Sequence, residues 1–341
     1  MVEEKETKFK KIKTRIINFF KSPREVISFF LPIVITAILL IPLPYYVKLG
    51  GGIIELDNKI DISEKGKDGY YGALYVREAK ANVMTYILTY IVPSFDREKI
   101  ENVTIKGEDT SNYDYREKLY FTSSVDAATK VAFEKAGKEV KISSSKFLII
   151  YIDKDAKTNL KVGDEIISIS NKKVSSYDEM LSLIKEANDT VNITVKRNGK
   201  LVNTVNSFIE INNEKKLGIV ISNEIKYTSN PKVKFKFNGR EAGPSGGLMI
   251  ALTIYDKLVE EDVTKGRKVV GTGTIDINGN IGEIGGIKYK LMAAKRKKAD
   301  IVFVPSDNYK EAKKEVKKKG YKFKLVPVKT FDDAINYLEN L

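Results

Sequence analysis

From Val26 to Val47 the chain reads VISFFLPIVITAILLIPLPYYV, 22 residues without a charge. At a rise of 1.5 Å per residue such a run extends about 33 Å as one helix, enough for a hydrocarbon core of roughly 30 Å. Pro32, Pro42 and Pro44 are expected to kink or end that helix and shorten the span. Tyr45 and Tyr46 suit the membrane–water interface. A buried core helix seldom lacks polar residues for so long. A cleaved signal peptide would carry a shorter apolar region and a small-x-small site, which is not seen here. Residues 1–25 hold eight Lys/Arg and four Asp/Glu. The positive-inside rule then keeps this basic tail in the cytoplasm and sends the remaining chain outward. The expectation is a single-pass anchor over residues 26–47 at the cell membrane, with an extracytoplasmic domain after it.

Composition narrows the chemistry. The 341 residues include no Cys and no His. That excludes a Ser-His-Asp triad, a thiol nucleophile, a Cys or His zinc site and a disulfide framework. The general bases that remain are Asp, Glu, Tyr and Lys. No G-x-x-x-x-G-K-[ST] run is present, so no P-loop ATPase module is expected. The net charge of +14 could serve nucleic acid, anionic lipid or an anionic envelope, and it also fits a proteome rich in Lys, Ile and Asn. Base-reading Arg and aromatic clusters are not evident, so no nucleic-acid partner is expected.

After the anchor, Gly50-Gly51-Gly52 reads as a flexible exit. In the membrane-proximal segment 48–144, GALYVREAKANVMTYILTYI suggests a strand followed by a helix or second strand. Thr122 to Gly137 suggests a helix, with Val125, Ala128, Ala132 and Ala136 on one face and Gly137 as C-terminal cap. A compact unit follows over 145–212. FLIIYI reads as a strand, NLKVGDEIISISNKKV as a turn, strand and reversal, SSYDEMLSLIKEAN as an N-capped amphipathic helix, and TVNITVKRNGKLV as a strand closing on an Asn-Gly turn. The L-x-x-G-D-x-I-x-x-I order, with its helix and V-x-R-N-G hairpin, resembles a bacterial PDZ domain. The resemblance implies capture of an extended peptide between a strand and a helix. Here these would be the strand carrying Phe147, Leu148, Ile149 and Ile150, and the helix Tyr177 to Ala187. SSSK, before that strand, is a poor match to a glycine-rich carboxylate loop. A ligand-free αβ adaptor is the plainer alternative.

Ser245 lies in NGREAGPSGGLMIALTIYD, immediately before an apolar run that reads as a buried helix. Backbone N–H groups at a helix start, with flanking glycines, suit either an N-cap or an oxyanion hole. With histidine absent, a desolvated lysine is the natural base, since burial and a helix N-terminus both disfavour its charged form. Downstream, KVVGTGTIDINGNIGEIGGIKYKLMAAKRKKADIVFVPSDN reads strand, Asn-Gly turn, strand, helix and a strand ending at Pro305. Lys288 and Lys290 both lie in the first turn of that helix, bordering an Ile287/Leu291/Ala294 stripe. Helical projection does not choose between them.

The blocks G-P-S-G-G-L and G-T-G-T-I-x-x-x-G-x-I-G-x-I-G-G-I-x-x-K-x-x-A-A-K resemble the proteolytic domain of Lon-type serine proteases, in particular the membrane-anchored, PDZ-containing Lon-like proteases of Gram-positive bacteria. The resemblance implies Ser245 as nucleophile, Lys290 as base and Thr272 as its support, with Gly243, Pro244 and Gly246 shaping the turn and oxyanion hole. Gly246 stands where the family usually has alanine, and Arg240-Glu241 depart from its pattern. Residues 213–341 are too few for the whole domain. The expected fold is therefore α+β: a transmembrane helix, then a Lon-type α/β domain, with the PDZ unit inserted into it and segment 48–144 supplying its first part. A separate membrane-proximal domain is the alternative. The expected function is an ATP-independent, membrane-anchored serine endopeptidase acting on peptides or small membrane proteins, without metal or cofactor and with its oligomeric state open. A catalytically silent PDZ scaffold and a basic envelope-binding protein are the rival readings.

Overall fold

In the computed structural model the described residues are Lys8, Lys11, 20–62, 70–105, 107–211, 213–238 and 243–341. The chain divides into two compact units, Met1–Leu49 with Glu78–Ile100, and Gly50–Arg77 with Glu101–Leu341. In chain order the first elements are α1 (Pro23–Leu39), β1 (Pro42–Glu55), β2 (Ile60–Ile62), β3 (Tyr70–Asn82), α2 (Val83–Ile91), β4 (Asp96–Lys99), α3 (Ile100–Val103) and α4 (Thr110–Lys135). The middle of the chain forms β5 (Glu139–Ile152), β6 (Glu165–Ile169), β7 (Lys172–Lys173), α5 (Tyr177–Lys185), β8 (Thr190–Arg197), β9 (Lys200–Ser207), β10 (Ile209–Ile211), β11 (Glu214–Lys216), β12 (Ile219–Asn230) and β13 (Val233–Phe235). The last part forms α6 (Gly247–Leu258), β14 (Lys268–Gly271), β15 (Thr274–Ile275), β16 (Ile281–Gly282), α7 (Ile287–Arg296), β17 (Ile301–Pro305), α8 (Tyr309–Lys319), β18 (Lys324–Val328) and α9 (Phe331–Glu339).

In the first unit the uncharged run does not stay helical to Val47. Helix α1 stops at Leu39, and Pro42 opens a strand whose Tyr45–Lys48 segment pairs antiparallel with β4. Two prolines so close together cannot propagate a helix but fit the start of a strand. Tyr46 and Val47 are buried in protein, which corrects the interfacial placement of Tyr46. None of the α1 side chains is buried, and its 17 residues measure about 25 Å. Among the described residues no helix is long and apolar enough to cross a membrane.

The second unit is mixed α and β, with two layers of helix around one sheet. Strand order is β18-β17-β14-β3-β1, and β14 runs parallel to both β17 and β3. Alternate side chains of each strand enter different cores, as the two-residue period of a strand requires. Val269, Ile301 and Phe303 face a core shared with α4, α6 and α9, while Val270, Val302 and Val304 face one shared with α7 and α8. Helix α6 is buried on every side, which explains its unbroken apolar sequence. Gly50-Gly51-Gly52 is not a flexible exit but part of β1, where a Cβ on Gly51 would sit 2.2 Å from the Tyr289 carbonyl oxygen. Helix α4 begins at Thr110 rather than Thr122, because Asp109 caps it by accepting from the Ser111 and Asn112 N–H groups.

A separate core joins Met180 and Leu183 of α5 to Phe147, Ile149, Ile166, Ile169 and Val191 of a sheet of order β12-β5-β6-β8-β9. Leu217, Ile219 and Ile221 pack into this same core. Chain beyond the expected boundary at 212/213 thus contributes to this core. Residues on both sides of this unit, Leu56, Tyr71 and Val125–Phe133 before it and Leu248–Leu258 after it, contribute to one other core.

Candidate active site

The turn before α6 is held from two directions. Gly243 adopts φ 124°, a conformation that favours glycine, and Pro244–Gly246 forms a single 3₁₀ turn. Neither this turn nor α6 is capped by a side chain, so the Ser245 hydroxyl is not used as an N-cap. The Ser124 hydroxyl of α4 donates to the Pro244 carbonyl at 3.0 Å. The Ser245 carbonyl accepts from the Gly273 N–H at 2.8 Å and from Thr272 Oγ1 at 3.0 Å, and the Leu248 N–H returns a bond to the Gly273 carbonyl. Gly271 permits this approach, since a Cβ there would lie 2.7 Å from Met249 Sδ and 2.9 Å from the Phe303 carbonyl oxygen.

Lys290 enters from the first turn of α7. Its side chain is buried at 3% exposure, and Nζ donates to Thr272 Oγ1 at 2.9 Å. Thr272 is itself fully buried. A threonine hydroxyl has one proton, and here it is committed to the Ser245 carbonyl, so the oxygen presents lone pairs to Lys290. Thr272 therefore ties Lys290, the candidate base, to the backbone of Ser245, the candidate nucleophile. Lys288 goes elsewhere, its Nζ lying 5.2 Å from the centre of the Tyr289 ring. At 3% exposure Lys290 sits largely out of water, and such burial disfavours the charged form of an ammonium.

At Gly246 an alanine Cβ would meet Ala73 at 3.5 Å, an ordinary contact, so glycine there is not required for space. Arg240 and Glu241 lie outside the described residues. Among the described residues no group of three or more carboxylates is placed to hold a metal ion. Two residues beyond Ser124, burial pushes the Asp126 carboxyl up to about 6, against a weaker opposing pull from Lys226.

The expected peptide strand is corrected by the sheet order. Phe147, Leu148 and Ile149 pair with β12 on one edge, and on the other Phe147 and Leu148 pair with β6 while Ile149 bonds Asp164 and Gly163. With both edges occupied, this strand cannot accept a third. Ser143–Ser145 lie within β5 and form no loop. Among the described residues β12 and β9 end this sheet, and β12, which follows Gly218 at φ 69°, leaves one edge without a strand partner. Ile219 and Ile221 of β12 pack against the core that holds Met180 and Leu183 of α5. The overlooked signal was KKLGIVI: a glycine turn entering an apolar strand.

Comparison with known proteins agrees with the class of domain this geometry defines. Residues 239–339 match the Lon protease (S16) C-terminal proteolytic domain, and residues 131–205 match the PDZ domain. The chain thus carries a Lon-type serine peptidase domain together with a PDZ domain. Among individual relatives, the Lon protease of Trichlorobacter lovleyi is 36% identical over 93 residues, 27% of this chain and 11% of that protein. The Lon protease of Aster yellows witches'-broom phytoplasma is 33% identical over 94 residues, 28% of this chain and 12% of that protein. That of Malacoplasma penetrans is 30% identical over 129 residues, 36% of this chain and 16% of that protein. The chain thus spans only 11–16% of the length of these relatives.

Proposed function

We propose that this chain is an ATP-independent serine endopeptidase, anchored at the membrane through the uncharged segment 26–47 and acting on the extracytoplasmic side. The observation that carries the reading is the hydrogen-bonded path from Lys290 through Thr272 to Ser245. Neutral Lys290 has one nitrogen lone pair. Lys290 directs one N–H at Thr272, and in this reading its lone pair takes the Ser245 hydroxyl proton as Oγ attacks a peptide carbonyl. Backbone N–H groups at the start of α6 hold the developing oxyanion, aided by the helix N-terminus. The protonated lysine then gives its proton to the leaving amine, and water repeats the cycle on the acyl-enzyme.

The PDZ unit, in this reading inserted into the protease, holds an extended substrate by strand addition to β12. No P-loop sequence is present to drive unfolding, so substrates are short, flexible or membrane-tethered. In the test, the full chain in detergent is incubated with unstructured peptides without nucleotide and the products are read by mass. Fragments formed by wild type and not by Ser245→Ala support the reading. Identical fragments from both, or none from any peptide, contradict it.

A further inference from the structure

Helix α2 turns its apolar face outward. Its sequence, VMTYILTYI, has no charge and no buried side chain. Met84, Ile87 and Ile91 follow i, i+3, i+7 spacing and so share one face, and they are 42%, 45% and 67% exposed. A contiguous exposed apolar face marks an interaction surface. The helix is firmly started by a capping box, in which the Asn82 side chain accepts from the Thr85 N–H and Thr85 Oγ1 accepts from the Asn82 N–H. The Val83 N–H also donates to the Ile41 carbonyl at 3.1 Å, fixing α2 beside the C-terminal end of α1.

The rim of this face is amphipathic. The Arg97 guanidinium lies 4.6 and 4.1 Å from the Tyr86 and Tyr90 ring centres. It also donates to Thr89 Oγ1 at 2.6 Å and to the Tyr90 hydroxyl at 2.7 Å. The Tyr45 ring stands 5.0 Å from that of Tyr86. Side chains with an apolar body and a polar tip settle at the boundary between water and hydrocarbon.

We infer that α2 lies in the plane of the bilayer interface as a second membrane contact, with Met84, Ile87 and Ile91 among the acyl chains and Arg97 at the headgroups. The inference rests on the proposed insertion of α1. A bilayer is favoured over a second copy of the chain because α1 exposes Phe30, Leu31, Ile33, Val34 and Ile35 around its circumference. A partner protein covers one side of a helix, whereas lipid covers all of it. An interfacial helix with this composition binds through its apolar face, assisted by cations facing anionic lipid.

The chain has no cysteine, so single cysteines can be introduced for labelling. The full chain is reconstituted in phosphatidylcholine–phosphatidylglycerol vesicles with a fluorophore at Ile87→Cys, Ile91→Cys, Ile33→Cys in α1, or Lys317→Cys in α8. Lipids carry quenchers at shallow or deep acyl positions. Positions 87 and 91 should lose most of their emission to shallow quenchers, position 33 to deep ones, and position 317 to neither. Quenching at 33 without quenching at 87 and 91 overturns the inference while leaving the anchor reading intact. Quenching at none of the three overturns both. A response at 87 that tracks protein density rather than quencher lipid assigns the face to a second copy, and also overturns the inference.

Discussion

Lys290 Nζ and Thr272 Oγ1 meet at 2.9 Å in the interior, across 18 residues of sequence. Because Thr272 also bonds the Ser245 carbonyl, the pair defines where a base can stand relative to the serine. Thr272→Val keeps the shape and removes both bonds. It should lower kcat by about 10²-fold with little change in KM, while Thr272→Ser restores most of the rate. Equal rates for wild type and Thr272→Val, measured on an unstructured peptide, would remove Thr272 from the account.

The glycines after the serine should behave differently from one another. A Cβ at Gly247 would lie 2.2 Å from Ser124 Oγ and 2.7 Å from Ile275 Cγ2, whereas one at Gly246 meets nothing closer than 3.5 Å. Gly247→Ala should cost about 1–3 kcal/mol in denaturant unfolding and disturb the Ser124–Pro244 bond. Gly246→Ala should stay within about 0.5 kcal/mol of wild type and keep its activity. The reverse ranking would contradict the geometry of the turn.

Burial raises the Asp256 carboxyl from its ordinary 3.8 to about 6, partly opposed by the Val263 N–H that it accepts at 2.9 Å. Between these values the folded chain holds a proton that the unfolded chain has released. Stability from this group is therefore greatest below pH 4 and is lost as pH rises to about 6. Asp256→Asn keeps an acceptor for Val263 and removes the charge. It should stabilise the protein by on the order of 1–3 kcal/mol at pH 8 and by little near pH 4, as read by urea unfolding.

Gly218 starts the open-edged strand at φ 69°, and a Cβ there would press on Ala156 and Ile209 at 3.0 Å. In a Ser245→Ala background, Gly218→Val should weaken binding of extended peptides by about tenfold or more, measured by fluorescence anisotropy. With Ser245 intact, cleavage of peptides too short to reach that edge should be unchanged. Unaltered binding would move the peptide site away from β12.

Much of the site was legible because its signals are local. The unbroken apolar run after Ser245, the Asn278-Gly279 turn and the strand ending at Pro305 announce themselves in short windows, and they appear as α6, the β15–β16 hairpin and β17. Other features depend on distant partners. The Pro42–Val47 segment is as apolar as the helix before it, and hydrophobicity alone does not separate strand from helix; pairing with β4 makes it a strand. The first turns of α4 carry no clean apolar stripe, so its true start at Thr110 is set by the Asp109 cap. The strand at Phe147 reads as open-edged in sequence but is paired on both sides, because β12 joins β5 from about 70 residues away, as Ile219 with Ile152 and Asn223 with Phe147. Nothing near Phe147 records that pairing.

The central claim is tested most directly by the rate of peptide hydrolysis without nucleotide in the full chain and three variants. Ser245→Ala and Lys290→Met should each lose at least about 10³-fold in kcat, whereas Lys288→Met should remain within a few-fold of wild type. Retained hydrolysis in Lys290→Met, or its loss in Lys288→Met alone, would contradict a Ser245–Lys290 mechanism.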